Sequence, residues 1–160
     1  MVERNAVRNA LRRLARAVTV ITCRHDGDRF AMAATAVSEV SLDPPSMLVC
    51  VNQSAAVYAP LSAGAAFCIN ILHSSHEQIS VLCGGGAKGE ARFAAGDWLE
   101  SQSGVPYLNG AQANLFCCTE QSMLYGTHAI FIGRVTQVSF HPSVDPLIYV
   151  DGRYSRVQPV

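Results

Sequence analysis

The chain predicts a mainly β domain whose antiparallel strands close into a barrel, with a few short helices on its flanks. Three observations lead there. Short apolar or β-branched runs recur from Val18 to Val157, punctuated by the turn signals Asp26-Gly27, Asn109-Gly110 and Asp151-Gly152. Helical spacing is confined to three short stretches. The length, 160 residues with 49% hydrophobic, suits one domain over residues 1–160, with a core large enough to need neither disulfides nor metal.

Each element has its own signal. Arg4 to Ala17 is expected to be a helix, because Val7, Leu11, Leu14 and Val18 recur at helical spacing among the arginines Arg4, Arg8, Arg12, Arg13 and Arg16. Val18 to Cys23 is a β-branched strand, and Asp26-Gly27 turns it back into a strand starting at Arg29. That return strand runs into Phe30-Ala31-Met32-Ala33-Ala34-Thr35-Ala36-Val37 and continues to Pro44-Pro45. The prolines end it, because they lack an N–H and hold the preceding residue extended. Ser46 to Asn52 is the next strand. Ser54 stands where a helix N-cap belongs, ahead of a helix from Ala55 to Ala63 that Gly64 ends and Pro60 should kink.

Phe67 to Leu72 is again a strand. Ser74 and Glu77 fit a capping box for a helix through Val81 and Leu82, stopped by Gly84-Gly85-Gly86. Ala87 to Leu108 reads as a long loop pinned by Phe93, Trp98 and Tyr107; such loops in compact domains are usually functional or disordered. Two strands follow, Ala111 to Glu120 and Ala129 to Phe140, joined by a tip containing Leu124-Tyr125-Gly126-Thr127-His128. Pro146 to Val150 and Tyr154 to Val157 form a last hairpin.

Composition narrows the function. Twelve Lys+Arg balance twelve Asp+Glu, which argues against nucleic acid or an acidic membrane as partner. Charged residues make up only 15%, so part of the surface is expected to be covered, most simply in a homodimer. No apolar run approaches the ~18 residues of a membrane helix, and the arginine-rich start has no apolar stretch to make it a leader. The six cysteines lie mostly in apolar runs without a C-x-x-C pair, as expected for reduced thiols in a cytoplasmic protein. Cys117 and Cys118, adjacent on a strand, point to opposite faces and are no redox pair. His73 and His76 lack a third ligand, so no metal is expected.

Ala33, Ala34 and Ala36 carry almost no side chain, while Thr35, Ser38 and Ser41 offer hydroxyls. Backbone with so little in front of it can meet a flat ligand closely, although small residues also pack sheets. Ser54 is either a plain helix cap or an anion site at free helix N–H groups. Lys88 and Arg92 are cations beside flexible glycines, suited to phosphate or simply solvated. His128, taken alone, is an exposed imidazole at a hairpin tip.

The ordered set of segments resembles the flavin reductase family with the FMN-binding split-barrel fold, closest to the reductases that serve 4-hydroxyphenylacetate and phenol hydroxylases. The segments are Val18-Thr19-Val20-Ile21-Thr22, Ala33 to Val37, Val40-Ser41-Leu42-Asp43-Pro44-Pro45, Cys50-Val51-Asn52, Phe67 to Leu72, Arg92-Phe93, Gly126-Thr127-His128 and Pro146 to Tyr149. The resemblance implies a Greek-key split barrel that binds FMN or FAD and takes electrons from NADH or NADPH. It places the flavin ring along Ala33, Ala34, Thr35 and Ala36 and along Ser38, Glu39 and Val40, with Ser41 also among the cofactor-binding residues. It gives the flavin phosphate to Asn52, Gln53, Ser54, Ala55 and Ala56, with Lys88, Arg92 and Phe93 from the loop. It makes His128 the catalytic residue at the nicotinamide, with Thr127 in place of the family's usual Asp. It implies a homodimer that hands reduced flavin to a separate oxygenase. The alternatives are a flavin-binding module without reductase activity and a pyridoxamine-phosphate-oxidase-like FMN enzyme.

Overall fold

A computed structural model describes residues 2–158. Its strands and helices are, in chain order, α1 (Arg4–Leu11), β1 (Arg16–Ala17), β2 (Thr19–His25), β3 (Asp28–Ala34), β4 (Val37–Leu42), β5 (Pro45–Asn52), α2 (Tyr58–Ser62), β6 (Phe67–Ile71), α3 (Glu77–Val81), β7 (Trp98–Glu100), β8 (Pro106–Leu108), β9 (Ala113–Tyr125), β10 (His128–Phe140), β11 (Ile148–Val150) and β12 (Arg153–Ser155).

Seven strands form one antiparallel sheet in the order β3-β2-β6-β9-β10-β5-β4. The two edge strands, β3 and β4, are consecutive in sequence and joined only by Thr35 and Ala36. Laid flat, seven strands would put those edges roughly 29 Å apart at the usual strand spacing. Ala34 to Val37 spans at most about 10 Å. The sheet is therefore rolled until its edges nearly meet, yet β3 and β4 share no ladder among the described residues. That is a barrel split along one seam, and Thr35-Ala36 bridges the split.

Strand alternation fills the barrel. Ile21, Cys23, Val49, Val51, Phe67, Ile69, Cys117, Ala129 and Phe131 point inward, with Val57 and Leu61 from the α2 region closing one end. Gly133 is required by this packing: a Cβ there would lie 2.6 Å from the Phe67 ring and 2.9 Å from the Cys117 Cβ. The other faces of β2, β3 and β6 are also covered, by Ile79, Cys83, Phe93 and Leu108. Between the two layers Asn70 is fully buried and fully bonded. It donates to the Val20 carbonyl at 2.8 Å and accepts from the Leu108 N–H at 2.8 Å and the Asn114 amide at 2.9 Å.

Several expectations need correction. The first helix stops at Leu11, and Arg16–Ala17 pairs instead with β11, because the Arg12 guanidinium and carbonyl are tied to Asp151. Ser54 caps no helix: its N–H and hydroxyl both bond the Asn52 side chain, and the helix begins at Tyr58. Pro60 lies within the first turn of that helix, where its missing N–H costs nothing, so it makes no kink. The Ser74–Glu77 capping box is replaced by His73 and His76. His73 Nδ1 accepts from the Ser75 N–H, and the His73 N–H reaches His76 Nδ1, while Ser74 bonds Asp145. The long loop holds a 3-10 turn over Gly89–Phe93 and the β7–β8 hairpin. The barrel, the hairpin turns at Asp26, Gly27, Asp151 and Gly152, and the opposed Cys117 and Cys118 stand as expected.

Candidate active site

The seam is where chemistry can be housed. β3 is an edge strand, so every second residue turns its N–H and C=O away from β2. The Ala31 carbonyl shows which residues these are, because it accepts from Arg92 Nη1 on the open side. By the two-residue period, the N–H and C=O of Ala33 face the same open edge. In front of them lies a cleft of about 290 Å³ lined by Ala33, Ala34, Thr35, Ser80, Gly84 and two tyrosines, Tyr149 and Tyr154. Gly84 faces Ala33 across it: a Cβ there would sit 3.7 Å from the Ala33 Cβ, in ordinary van der Waals contact. The Ser80 hydroxyl and the Tyr154 phenol are hydrogen-bonded at 2.9 Å and hold one wall.

Thr35 turns the corner into a larger cleft of about 550 Å³. Ala36, Ser38 and Glu39 line it from the β4 side, Cys50 from β5, and Leu14 to Ala17 from the N-terminal segment. The Cys50 N–H bonds the Ala36 carbonyl at 2.9 Å, so the seam is anchored to β5. Val40 and Ser41 lie at and beyond a bulge in the β4–β5 ladder and line neither cleft; Ser41 instead bonds Asp43.

His128 comes to the same end of the barrel. It pairs directly with Asn52 across β10 and β5, as Ile130 does with Cys50. Residues two apart share a face, so the His128 ring projects on the side of Cys50, about 7 Å along the strands. It is exposed, and the Thr127 hydroxyl lies 2.9 Å from its Nδ1. Gln53 ties the two turns together, its N–H to the Thr127 carbonyl and its amide to the Gly126 carbonyl.

Further along β3 is a third hollow, of about 300 Å³, lined by Arg29, Ala31, Ala56, Gly89, Glu90 and Arg92. It joins the Asn52–Ala56 turn to the loop after the glycines. Arg92 spends two of its donors on the Ala31 and Ala87 carbonyls, so it holds the loop to the sheet edge as well as facing the hollow. Arg29 sits over the Phe93 ring at 4.2 Å and pairs with Glu90. That contact pulls the Glu90 carboxyl below its ordinary pKa. Phe93 itself is buried against Trp98, with ring centroids 5.0 Å apart, and Ala55 packs on the barrel core. Lys88 is exposed and lines none of these hollows.

A family model described as the flavin reductase like domain matches residues 11–158 of this chain. The chain belongs to that family. Among its relatives, the FMN reductase (NADH) RutF of Variovorax paradoxus is 37% identical over 150 residues, covering 94% of this chain and 83% of the relative. Among solved structures, the NADH:FAD oxidoreductase SgcE6 of Streptomyces globisporus, in complex with NAD and FAD fragments, superposes with a TM-score of 0.90. It is 27% identical and covers 98% of this chain and 94% of its own. BorF, the flavin reductase component of a bacterial two-component tryptophan halogenase, gives 0.89 at 28% identity, over 99% of this chain and all of its own. The flavin reductase fold is thus shared along nearly the whole chain.

Sequence reasoning missed four residues that line these hollows. Arg29 is on the same strand face as Ala31 and Ala33, a period-two signal that was available. Gly84 read only as a helix stop. Tyr149 and Tyr154 arrive from the last hairpin, more than a hundred residues from Ala33; Tyr149 ends a segment that carries the family resemblance, but nothing local places either ring in the cleft.

Proposed function

We propose that the chain is an NADH-dependent flavin reductase that reduces FMN or FAD and releases the reduced flavin to a separate flavin-dependent oxygenase. The observation that carries this reading is the seam, where small side chains and unpaired edge backbone front an open cleft. A flat ring can lie against main chain there, which a well-packed edge of large side chains would prevent. The residues fit a flavin: Ala33 to Ala36 for the ring, Ser38 and Glu39 at its border, and Asn52 to Ala56 with Arg92 and Arg29 at the phosphate end. Lys88 adds positive charge near that end.

Bound flavin supplies the two-electron acceptor, and the dihydronicotinamide supplies the hydride. What remains for the protein is placement. The outward Ala33 N–H would stabilise negative charge developing on a bound flavin. His128, steadied by Thr127, orients the nicotinamide at the mouth of the cleft formed by Ala36 and Cys50. No nucleophile or obligatory base is needed, which fits a site with few charged side chains.

NADH is the preferred donor in this reading, supported by the names of the relatives RutF and SgcE6. The separate acceptor protein is supported by BorF, a component of a two-component system. A homodimer is supported by the exposed apolar side chains of Leu42, Met123, Leu124, Tyr125 and Phe140. A reducing, cytoplasmic setting is supported by six unbridged cysteines.

The test is anaerobic mixing with NADH and excess free FMN, following loss of oxidised-flavin absorbance, with His128→Ala alongside. Multiple turnovers are expected, and the variant should raise KM for NADH about ten-fold, as for the loss of one good contact to a bound substrate. Absence of bleaching with FMN and FAD, and with NADH and NADPH, overturns the reading.

A further inference from the structure

The chain is neutral overall, but its charge is unevenly spread. Five of the twelve Lys+Arg lie between Arg4 and Arg16, with no acidic residue among them. Elsewhere the arginines are mostly neutralised: Arg24 by Glu100, Arg29 by Glu90, Arg134 by Glu120 and Arg156 by Asp145. Among the described residues, the cations outside ion pairs are Lys88 and Arg92 beyond one end of the seam, Arg153, and Arg4, Arg8, Arg13 and Arg16 at the other end. Clustering unpaired like charges raises the energy of the free protein, and a bound anion removes that penalty.

The N-terminal cluster is more than a solvated helix face. Arg8, Arg12 and Arg16 line a cleft of about 270 Å³ with Leu11, Leu14, Tyr149, Asp151 and Thr35. Arg12 is committed to its wall, donating to the Asp151 carboxylate at 2.9 Å and the Asp151 carbonyl at 3.0 Å. This braces α1 against the β11–β12 hairpin and leaves Arg8 and Arg16 open to the cleft. Thr35 is the junction: it also lines both clefts of the seam, and Leu14 and Arg16 are shared with the larger one. The hollow at Arg29 and Arg92 lies the other way along β3. Two ligands must meet ring to ring at the seam, and each brings an anionic tail. The fold offers one cationic recess on each side of Thr35.

We propose that the Arg8–Arg16 cleft binds the diphosphate of a dinucleotide substrate whose reacting ring occupies the seam, with Leu11, Leu14 and Tyr149 giving apolar contact to its adenosine half. The inference rests on the reductase reading. The diphosphate comes from NADH when FMN is the flavin, and from NADH or FAD when FAD is.

The test compares the full chain with Arg8→Gln, at a position that lines the N-terminal cleft and not the seam, in steady-state reduction of FMN. KM for NADH should rise about ten-fold or more with kcat within about two-fold, as expected on losing charge-assisted contacts to a remote group. The wild-type KM for NADH should rise with salt, and the variant's should do so less. Reduction of FMN by 1-benzyl-1,4-dihydronicotinamide, which has no phosphate, should be the same in both proteins. A rise in KM for FAD alone keeps the diphosphate site and assigns it to the flavin. Unchanged KM for both dinucleotides overturns the proposal, as does an equal loss with the phosphate-free donor. Failure of the wild-type protein to reduce flavin with any donor is a different result and overturns the reductase reading itself.

Discussion

The inside of the barrel and its seam are built from the same strands to opposite rules. Inside, Phe67 lies against Gly133 with no room for a methyl group, and Ile21, Val49, Phe131 and Cys117 interlock around it. At the seam, Ala33, Ala34 and Ala36 leave the edge backbone bare, and Gly84 stands back from it. Interior positions are stabilising because every atom has a partner. Seam positions give up that packing, and at Ala33 the backbone N–H and C=O face the open edge. A single strand does both: on β3, Met32 packs into the barrel while its neighbour Ala33 fronts the cleft.

The largest effect should come from breaking the inner rule. Gly133→Ala places a methyl group in contact with Phe67 and Cys117 and should cost about 3 kcal/mol of unfolding free energy, measured by urea denaturation. Phe67→Leu in the same chain should recover a good part of the loss, since the clash is with the ring. If the single variant unfolds like wild type, the interior is looser than described.

Breaking the outer rule should cost function instead. Ala33→Leu fills the cleft opposite Gly84 and should weaken FMN binding by more than about ten-fold, read by flavin fluorescence, with stability changed by less than about 1 kcal/mol. Unchanged affinity would put the ring elsewhere.

The smallest effect lies away from both regions. His76 is half-buried, and burial lowers its pKa from 6.5, helped by the neighbouring His73 and His141, with Asp145 facing His73. The unfolded chain then takes up the proton first. Stability should be complete above about pH 6.5 and should decline as pH falls below it. The depressed carboxylates of Asp145 and Asp151 titrate only at more acidic pH, so the window belongs to the histidine. His76→Gln should flatten the Tm profile between pH 7.5 and about 5.5. An unchanged slope would remove His76 from the account.

Much of this was legible in the residues. Alternation and turn chemistry suffice for β2, β3, β5, β6, β9, β10 and the closing hairpin, because those signals are local. So does the small-residue stretch that became the seam. Local signals failed where another group, near or far in sequence, competed for the same atoms. Asn52 holds the Ser54 N–H and hydroxyl, so that hydroxyl does not accept from helix N–H groups as a cap would, Asp145 took Ser74, and Asp151 took Arg12 and ended α1 early.

The order of residues alone determined most of the barrel strands, where their hairpins turn, and that one stretch would be nearly bare of side chains, but not β1, the β7–β8 hairpin or the break between β3 and β4. Only the tertiary structure decided that β3 and β4 become opposite edges of one rolled sheet, since closure depends on the pairing order of all seven strands. It also decided that Arg8, Arg16, Arg29, Tyr149 and His128 gather around that edge. Such contacts join residues far apart in sequence, and no local propensity encodes them; they follow once the barrel closes and burial of its interior holds the rim in place.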